Sequence, residues 1–520
     1  MRTLLLAAAA VLGLVVAGAA AAKPDPGAAA TEAVLVGFDG KADKAIVAKH
    51  GAKLERDFSE IGALAVSIPA DQVDGLKKEK GVSYVEPDEL RYPLGLSDAE
   101  LTPSLGNGLY GLVTTQALDV QNAGRSGAGI RACVADTGLA YEHPDIAGRY
   151  KGGVDYAANP DDTNPTWAGD VHETHGTHVA GIVLGNRGNG QGIFGAAPAA
   201  DLYYARVMAY NPVTGKVSGS SSDIMSGVKW LVTQAGCKVV NLSLGGGRPS
   251  KTEERFYRDM DNRGALIVAA SGNDSATSVS YPAAYSTVLS VGAVDVNGAH
   301  ASFSNTGTGL DISAPGVLVL SSVPSGTGSE SSVAAGGSTY RAFGMEYAGR
   351  TSGLSGQLVP SGQGQVDEFP ASVRGNIALI QRGTISFADK VTNAQNAGAI
   401  AAIVYNNAPG DFTGTLGTTG SWIPAVSVSD STGAALLSAG GSASVVNAAS
   451  AWDHYDGTSM ATPYVAGIAA LVWSVNPALT DEAVEDALKA SAKDLGPAGY
   501  DTTFGYGLAN AKAAVARVGG

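Results

Sequence analysis

Ile130-Arg131-Ala132-Cys133-Val134-Ala135-Asp136-Thr137-Gly138 is the stretch from which the fold is read. An apolar run through Ala135 has the character of a buried strand, and a carboxylate arrives where the strand stops and Thr-Gly turns the chain. Similar runs recur at 202–207, 238–242, 265–270 and 288–291, and helical patterns lie between them at 177–184, 222–234 and 252–262. Strands apolar on both faces, alternating with helices, predict a doubly wound α/β domain with a mostly parallel sheet. In such folds ligands bind beyond the carboxyl ends of the strands, which is where Asp136 falls.

Outward from this core the chain changes character. Residues 31–92 hold 9 Lys/Arg and 12 Asp/Glu, far denser than the 16% of charged residues in the whole chain, and read as a small α+β unit. Strands are expected there at 33–36, 63–68 and 82–85, with helices at 42–50 and 71–80, the second capped by Asp71. The α/β pattern runs over 106–323 and breaks near Pro324. Residues 324–452 are rich in Gly, Ser, Ala and Thr and form a β-rich inserted domain, with strands at 376–381 and 399–405 and a helix at 387–396. The pattern resumes over 453–515 with helices at 459–475 and 480–490.

The N-terminus carries an address. Arg2 is followed by an apolar run from Leu4 to Ala20 and by Ala20-Ala21-Ala22 before Lys23, the layout of a signal peptide over 1–22. The run is too short and Ala/Gly-rich for a membrane anchor, and no later stretch reads as a span. The mature protein is therefore expected to be secreted, extracellular and free of the membrane. A formal net charge of -14 argues against nucleic-acid partners. Cys133 and Cys237 are the only cysteines. Export permits a disulfide, but both sit in apolar runs, and buried free thiols are the expectation. Neither has a base beside it, so neither is a nucleophile candidate.

Four positions carry chemistry. Asp136 ends a strand. His175 opens a helix in His175-Gly176-Thr177-His178-Val179-Ala180-Gly181, and Ser459 opens another in Gly457-Thr458-Ser459-Met460-Ala461-Thr462-Pro463. Asn273 follows a strand in Ala270-Ser271-Gly272-Asn273. A hydroxyl needs a base to become a nucleophile, and an imidazole titrates in the right range to be that base. A buried carboxylate orients the imidazole, and amide donors at a helix start can hold an oxyanion.

Those motifs, in the order Asp, His, Ser, resemble the subtilisin family of serine peptidases. The resemblance covers about 106–323 and 455–515, including Gly505-Tyr506-Gly507-Leu508-Ala509-Asn510. It implies a serine endopeptidase with Asp136, His175 and Ser459 as the triad and Asn273 as oxyanion donor. Ser243-Leu244-Gly245 and Ser218-Gly219 would be the two walls that pair with an extended substrate. Ala270, Gly272 and Ser280 would surround the main specificity pocket and leave room for a large apolar side chain. Residues 31–92, with Tyr84-Val85-Glu86-Pro87-Asp88, resemble the family's inhibitory propeptide, with self-cleavage between Tyr92 and Tyr110. Gly375-Asn376-Ile377-Ala378-Leu379-Ile380-Gln381-Arg382-Gly383 resembles a protease-associated (PA) domain. A structural calcium ion is implied at Asp145, with Asn189 and Asn107 as further ligands and loop carbonyls completing the shell; no cofactor is implied for catalysis. The expected partners are protein or peptide substrates and the chain's own propeptide, and the expected state is a monomer.

Simpler readings exist for each motif. Asp-Thr-Gly occurs in aspartic proteases, but those need two copies and only Asp136 sits in one. His175 and His178 form an H-x-x-H pair with no Glu between them, which argues against zinc, and His178 is expected to pack beneath the site. His172 and His454 are expected in surface or supporting roles. Gly190-x-Gly192-x-x-Gly195 follows a helix, not a strand, so it is no dinucleotide fingerprint. The competing class is a catalytically silent secreted protein that binds partners through the PA-like domain; the filled catalytic positions argue against it.

Overall fold

The computed structural model describes residues 31–59, 62–87, 108–157, 165–166, 169–214, 216–246 and 248–519. The signal peptide, the expected self-cleavage segment up to residue 107, and Asn107 lie outside the described residues. Two compact units are present, one within 1–91 and one within 92–520.

In the first unit the order is β1 (Thr31–Phe38), α1 (Lys44–Lys49), β2 (Lys53–Phe58), β3 (Ala63–Pro69), α2 (Val73–Leu76) and β4 (Val82–Pro87). The strands form one antiparallel sheet in the order β2-β3-β1-β4. Val34, Val36, Leu64, Val66 and Ile68 bury one face against Val47 of α1 and Val73 and Leu76 of α2. Asp43 caps α1, its carboxylate accepting from Ala45 N at 2.8 Å. The expected long helix over 71–80 is instead a 3₁₀ turn (Ala70–Gln72) and the single turn of α2, with no side-chain cap from Asp71. Gly75 weakens that helix, and only Val73 and Leu76 are buried to hold it.

The second unit begins with α3 (Tyr110–Thr114) and α4 (Ala117–Asn122). There follow β5 (Ala132–Asp136), β6 (Tyr150–Asp155), α5 (His175–Leu184), β7 (Leu202–Arg206), the β8 (Ala209–Asn211) and β9 (Lys216–Ser218) hairpin, and α6 (Ser221–Thr233). Next come β10 (Val239–Leu242), α7 (Lys251–Asp261), β11 (Leu266–Ala270), β12 (Leu289–Val294), β13 (Ile312–Pro315) and β14 (Val319–Ser322). Seven strands build one parallel sheet in the order β13-β12-β11-β10-β5-β7-β6. Successive residues alternate between two cores: Ala132, Val134, Val239, Val268 and Val291 face one side, and Cys133, Ala135, Val240, Ile267 and Ala269 the other. This is the doubly wound, mostly parallel arrangement expected from the sequence.

Beyond β14 the chain enters β15 (Gly328–Ala335), β16 (Ser338–Gly344), β17 (Thr351–Pro360), β18 (Ile377–Gln381), α8 (Phe387–Ala397), β19 (Ala401–Tyr405), β20 (Ala425–Val428), α9 (Asp430–Ala439) and β21 (Ser442–Ser450). The seven strands close into a barrel. The chain returns through β22 (Trp452–Tyr455), antiparallel to β14, into α10 (Thr458–Val475), α11 (Asp481–Ser491) and α12 (Ala511–Arg517).

Two readings are corrected. Helix α10 is long and apolar enough to cross a membrane, which the sequence reading passed over; 83% of it is buried, and it packs against the sheet core. Cys133 and Cys237 form a disulfide rather than standing as free thiols. Cys133 pairs with Val240 across β5 and β10, and Cys237 lies three residues before Val240 on the same face, which brings the two Cα atoms to 6.1 Å.

Candidate active site

The carboxyl edge of the sheet brings together residues from β5, α5, the loop after β10, the loop after β11 and the start of α10. Asp136 is fully buried; its Oδ1 accepts from Thr137 N at 2.7 Å and lies 2.8 Å from His175 Nδ1. The Asp-Thr-Gly turn and the start of α5 clasp each other: Gly176 N donates to Thr137 Oγ1 at 2.9 Å and Ala140 N to Thr177 Oγ1 at 3.0 Å. A side chain at Gly176 would collide with the Tyr204 hydroxyl, which donates to the Thr137 carbonyl at 2.7 Å. Burial works against the imidazolium of His175, but the adjacent Asp136 carboxylate prevails and raises its pKa above the ordinary 6.5.

Ser459 sits in the first turn of α10. Pro463 stands four residues further on and has no N–H to give the Ser459 carbonyl. That carbonyl instead accepts from Ser243 Oγ at 2.7 Å, while Ser459 Oγ donates to the Ser243 carbonyl at 3.1 Å. Asn273 is fixed by Thr458, whose N and Oγ1 donate to its Oδ1 at 2.9 and 2.8 Å. Its Nδ2 is thereby turned toward Gly457. A side chain at 457 would meet Asn273 Nδ2 at 3.4 Å and Ser459 N at 3.5 Å, so the bare glycine leaves a notch with both donors at its edge. Such a notch can hold an oxyanion.

Two clefts flank His175. The first, about 530 Å³, is lined by Ser218 and Gly219 on one wall and Ser243, Leu244 and Gly245 on the other, with Met208, Ile224, Tyr281 and Pro282. Ala270, Gly272 and Ser280 do not line it. Ala270 is buried at the end of β11, and a side chain at Gly272 would run into Asn305 and Ser280. Asn305 Nδ2 donates to Ser280 Oγ at 3.2 Å, so a carboxamide lies beside Gly272 and Ser280.

The lone histidines separate by environment. His178 is buried, its Nε2 3.1 Å from the carbonyls of Val319 and Asp453, its ring stacked on Tyr455; burial pushes its pKa down to about 3. His454 is likewise pushed down to about 3 by burial and packs edge-on against Phe343. His172 stacks on Tyr210 at 3.9 Å and pairs through Nδ1 with Asp170 at 2.6 Å.

Calcium does not fit Asp145 and Asn189, the expected ligands among the described residues. The Asp145 carboxylate is wrapped in donors: Trp452 Nε1 at 2.6 Å, Ser322 Oγ at 3.0 Å and Ile193 N at 3.3 Å on Oδ2, and Asn189 Nδ2 at 3.0 Å on Oδ1. A cation needs oxygen acceptors where these N–H and O–H groups point. Among the described residues no group of three His, Cys, Asp or Glu could hold a metal.

Sequence reading missed the residues that hold these groups in place. Thr137, Thr458 and Asn305 carried no signal beyond their motifs. Arg206 ends β7 at the same sheet edge and pairs in the interior with Asp155 at 2.7 Å and with Glu173, two residues before His175, at 2.9 Å; a charge inside the apolar run 202–207 was the available clue.

Comparison with known proteins agrees with this geometry. The Subtilase family profile matches residues 127–353 and 399–507, and the PA domain profile matches 354–436. An alkaline protease of Shouchella clausii is 38% identical over 275 residues, 53% of this chain and 66% of that protein, so the match spans just under two thirds of the relative. Subtilisin E of Bacillus subtilis (strain 168) is 33% identical over 288 residues, 55% of this chain and 69% of that protein. The crystal structure of the psychrophilic subtilisin-like protease Apa1 from the Antarctic psychrotroph Pseudoalteromonas sp. AS-11 superposes with a TM-score of 0.62 at 32% identity, covering 80% of this chain and 98% of that one. With the parallel sheet, the three ordered motifs and the family profile all in agreement, the chain belongs to the Subtilase family.

Proposed function

We propose that this chain is a secreted serine endopeptidase, made as a precursor that its own residues 31–92 inhibit until self-cleavage. The carrying observation is the fixed imidazole: Asp136 lies 2.8 Å from His175 Nδ1 and His175 lines the groove, so Nε2 is the nitrogen left to accept a proton. Ser459 Oγ, which donates to the Ser243 carbonyl at 3.1 Å in this structure, turns to His175 and gives it its proton as it attacks the substrate carbonyl. The oxyanion settles between Ser459 N and Asn273 Nδ2. The imidazolium then protonates the leaving amine, and water releases the acyl group by the same steps in reverse. The extended substrate pairs with Ser218-Gly219 and Ser243-Leu244-Gly245, with its main chain supplying the hydrogen bonds.

Casein hydrolysis by the secreted protein, compared with Ser459→Ala, tests this reading. The substitution is expected to lower kcat by about a million-fold and to leave the exported precursor near full length. Equal activity in the two proteins removes Ser459 as the nucleophile, and normal shortening of the mutant assigns maturation to another protease.

A further inference from the structure

His175 lines not one cleft but two. The second, about 650 Å³, shares only His175 with the first, and one of its walls is the inserted barrel. Met345, Glu346, Tyr347 and Phe387 come from the barrel; His175 and Met460 come from the catalytic core. Substrate residues before the cut bond occupy the first cleft if Ser218-Gly219 and Ser243-Leu244-Gly245 pair with them. An extended chain that continues past His175 must then enter the second.

Tyr347 marks the boundary between the clefts. Its ring lies 5.7 Å from that of His172, which lines the first cleft and stacks on Tyr210 at 3.9 Å. Its backbone is left-handed, with φ 67°, a costly conformation for a tyrosine and one that clusters where geometry serves a ligand. The preceding residue is clamped: Glu346 N donates to the Gly414 carbonyl at 2.9 Å and Leu416 N to the Glu346 carbonyl at 3.1 Å. The ring is thus presented from a rigid rim rather than from a free loop.

We propose that the barrel builds the subsites for the substrate residues that follow the cut bond, with Tyr347 as their specificity-determining residue. This rests on the endopeptidase reading above. Met345, Tyr347, Phe387 and Met460 give the subsites apolar faces, and among the charged lining residues Glu346, Asp453 and Asp456 outnumber Arg350, which disfavours acidic residues, so the chemical class is an extended peptide with apolar side chains just after the cut.

The test compares two kinds of substrate with one acyl-side sequence: a peptide methyl ester, whose leaving group is only methanol, and internally quenched peptides that continue four residues beyond the cut bond with Leu or Asp in the first two places. The full-length secreted enzyme is expected to cut the Leu peptide at least tenfold better, in kcat/KM, than the Asp peptide. Tyr347→Gly, which relieves the left-handed backbone, is expected to lower kcat/KM for the Leu peptide about fivefold or more and to leave the methyl ester, which has no group in that cleft, within twofold. An equal fall on both substrates, or no fall on either, overturns the proposal. Failure of the endopeptidase reading shows differently, as methyl ester hydrolysis that survives Ser459→Ala.

Discussion

Ser243 and Ser459 hold each other through two reciprocal hydrogen bonds, the Ser243 hydroxyl to the Ser459 carbonyl at 2.7 Å and the Ser459 hydroxyl to the Ser243 carbonyl at 3.1 Å. The proposed nucleophile and the proposed substrate-pairing strand are therefore one unit, made possible because Pro463 leaves the Ser459 carbonyl without its helical partner. Ser243→Ala removes that donor and also the acceptor that Asn241 Nδ2 uses at 2.9 Å. Denaturant unfolding should show a loss of about 1–3 kcal/mol from the orphaned groups. Peptide hydrolysis should slow roughly tenfold to a hundredfold as Ser459 shifts. Unchanged kinetics would show that the pairing does not set the position of Ser459.

In the proposed mechanism Asn273 acts only when charge develops on the substrate oxygen. Asn273→Ala should lower kcat by on the order of 100–1,000-fold with KM nearly constant. Thr458→Val keeps the Thr458 N–H to Asn273 but removes the hydroxyl bond at 2.8 Å, and should give a smaller loss of the same kind. A rise in KM with kcat preserved, in either variant, contradicts an oxyanion role.

The pH profile follows from His175. Its pKa lies above 6.5 because the Asp136 carboxylate outweighs burial, and only the neutral imidazole can accept the serine proton. The acid limb of kcat/KM should therefore fall at a midpoint above 6.5, with activity lost as pH drops through it. Asp136→Asn removes the opposing charge and leaves burial to act alone. Its limb should move to lower pH, with kcat down about 10⁴-fold. A limb that stays in place in Asp136→Asn would assign it to another group.

Trp452 supplies the shortest of the bonds to the buried Asp145 carboxylate, at 2.6 Å. Trp452→Phe keeps most of the packing and removes the N–H, and should cost about 1.5–3 kcal/mol, as for hydrogen bonds to charged groups. Millimolar calcium should not restore the loss. Recovery of the melting temperature by calcium would mean that the cradle still accepts a cation.

The catalytic half was legible because its chemistry sits where secondary structure begins or ends. Asp136 closes a run that could only be a buried strand, and His175 and Ser459 open helices whose apolar residues continue for turns. The inserted barrel was less readable. Ser329 and Ser331 share a face of β15 with Val333, and Asn447 shares a face of β21 with Ala443 and Val445, so small polar and apolar residues mix without a clear alternation, and only the Ile/Val-rich β18 and β19 stood out. Strand β6 was passed over because Gly152 and Gly153 interrupt it; at Gly153 a side chain would strike Pro165 and the Tyr204 carbonyl. The disulfide depended on strand order, since Cys133 and Cys237 become neighbours only once β10 lies beside β5. Asp145 resembled a metal ligand until a tryptophan more than three hundred residues later delivered the indole N–H.

Strands β14 and β22 run antiparallel from Val319 opposite Tyr455 to Ser322 opposite Trp452. The two ends of the barrel therefore leave the core side by side, like the two leads of a plug. Joining them requires no long closure, and the entropy of linking close ends is small. Residues 324–451 can thus be replaced by a short turn with Trp452 left on Asp145, giving a pared-down catalytic core that keeps the first cleft and gives up one wall of the second.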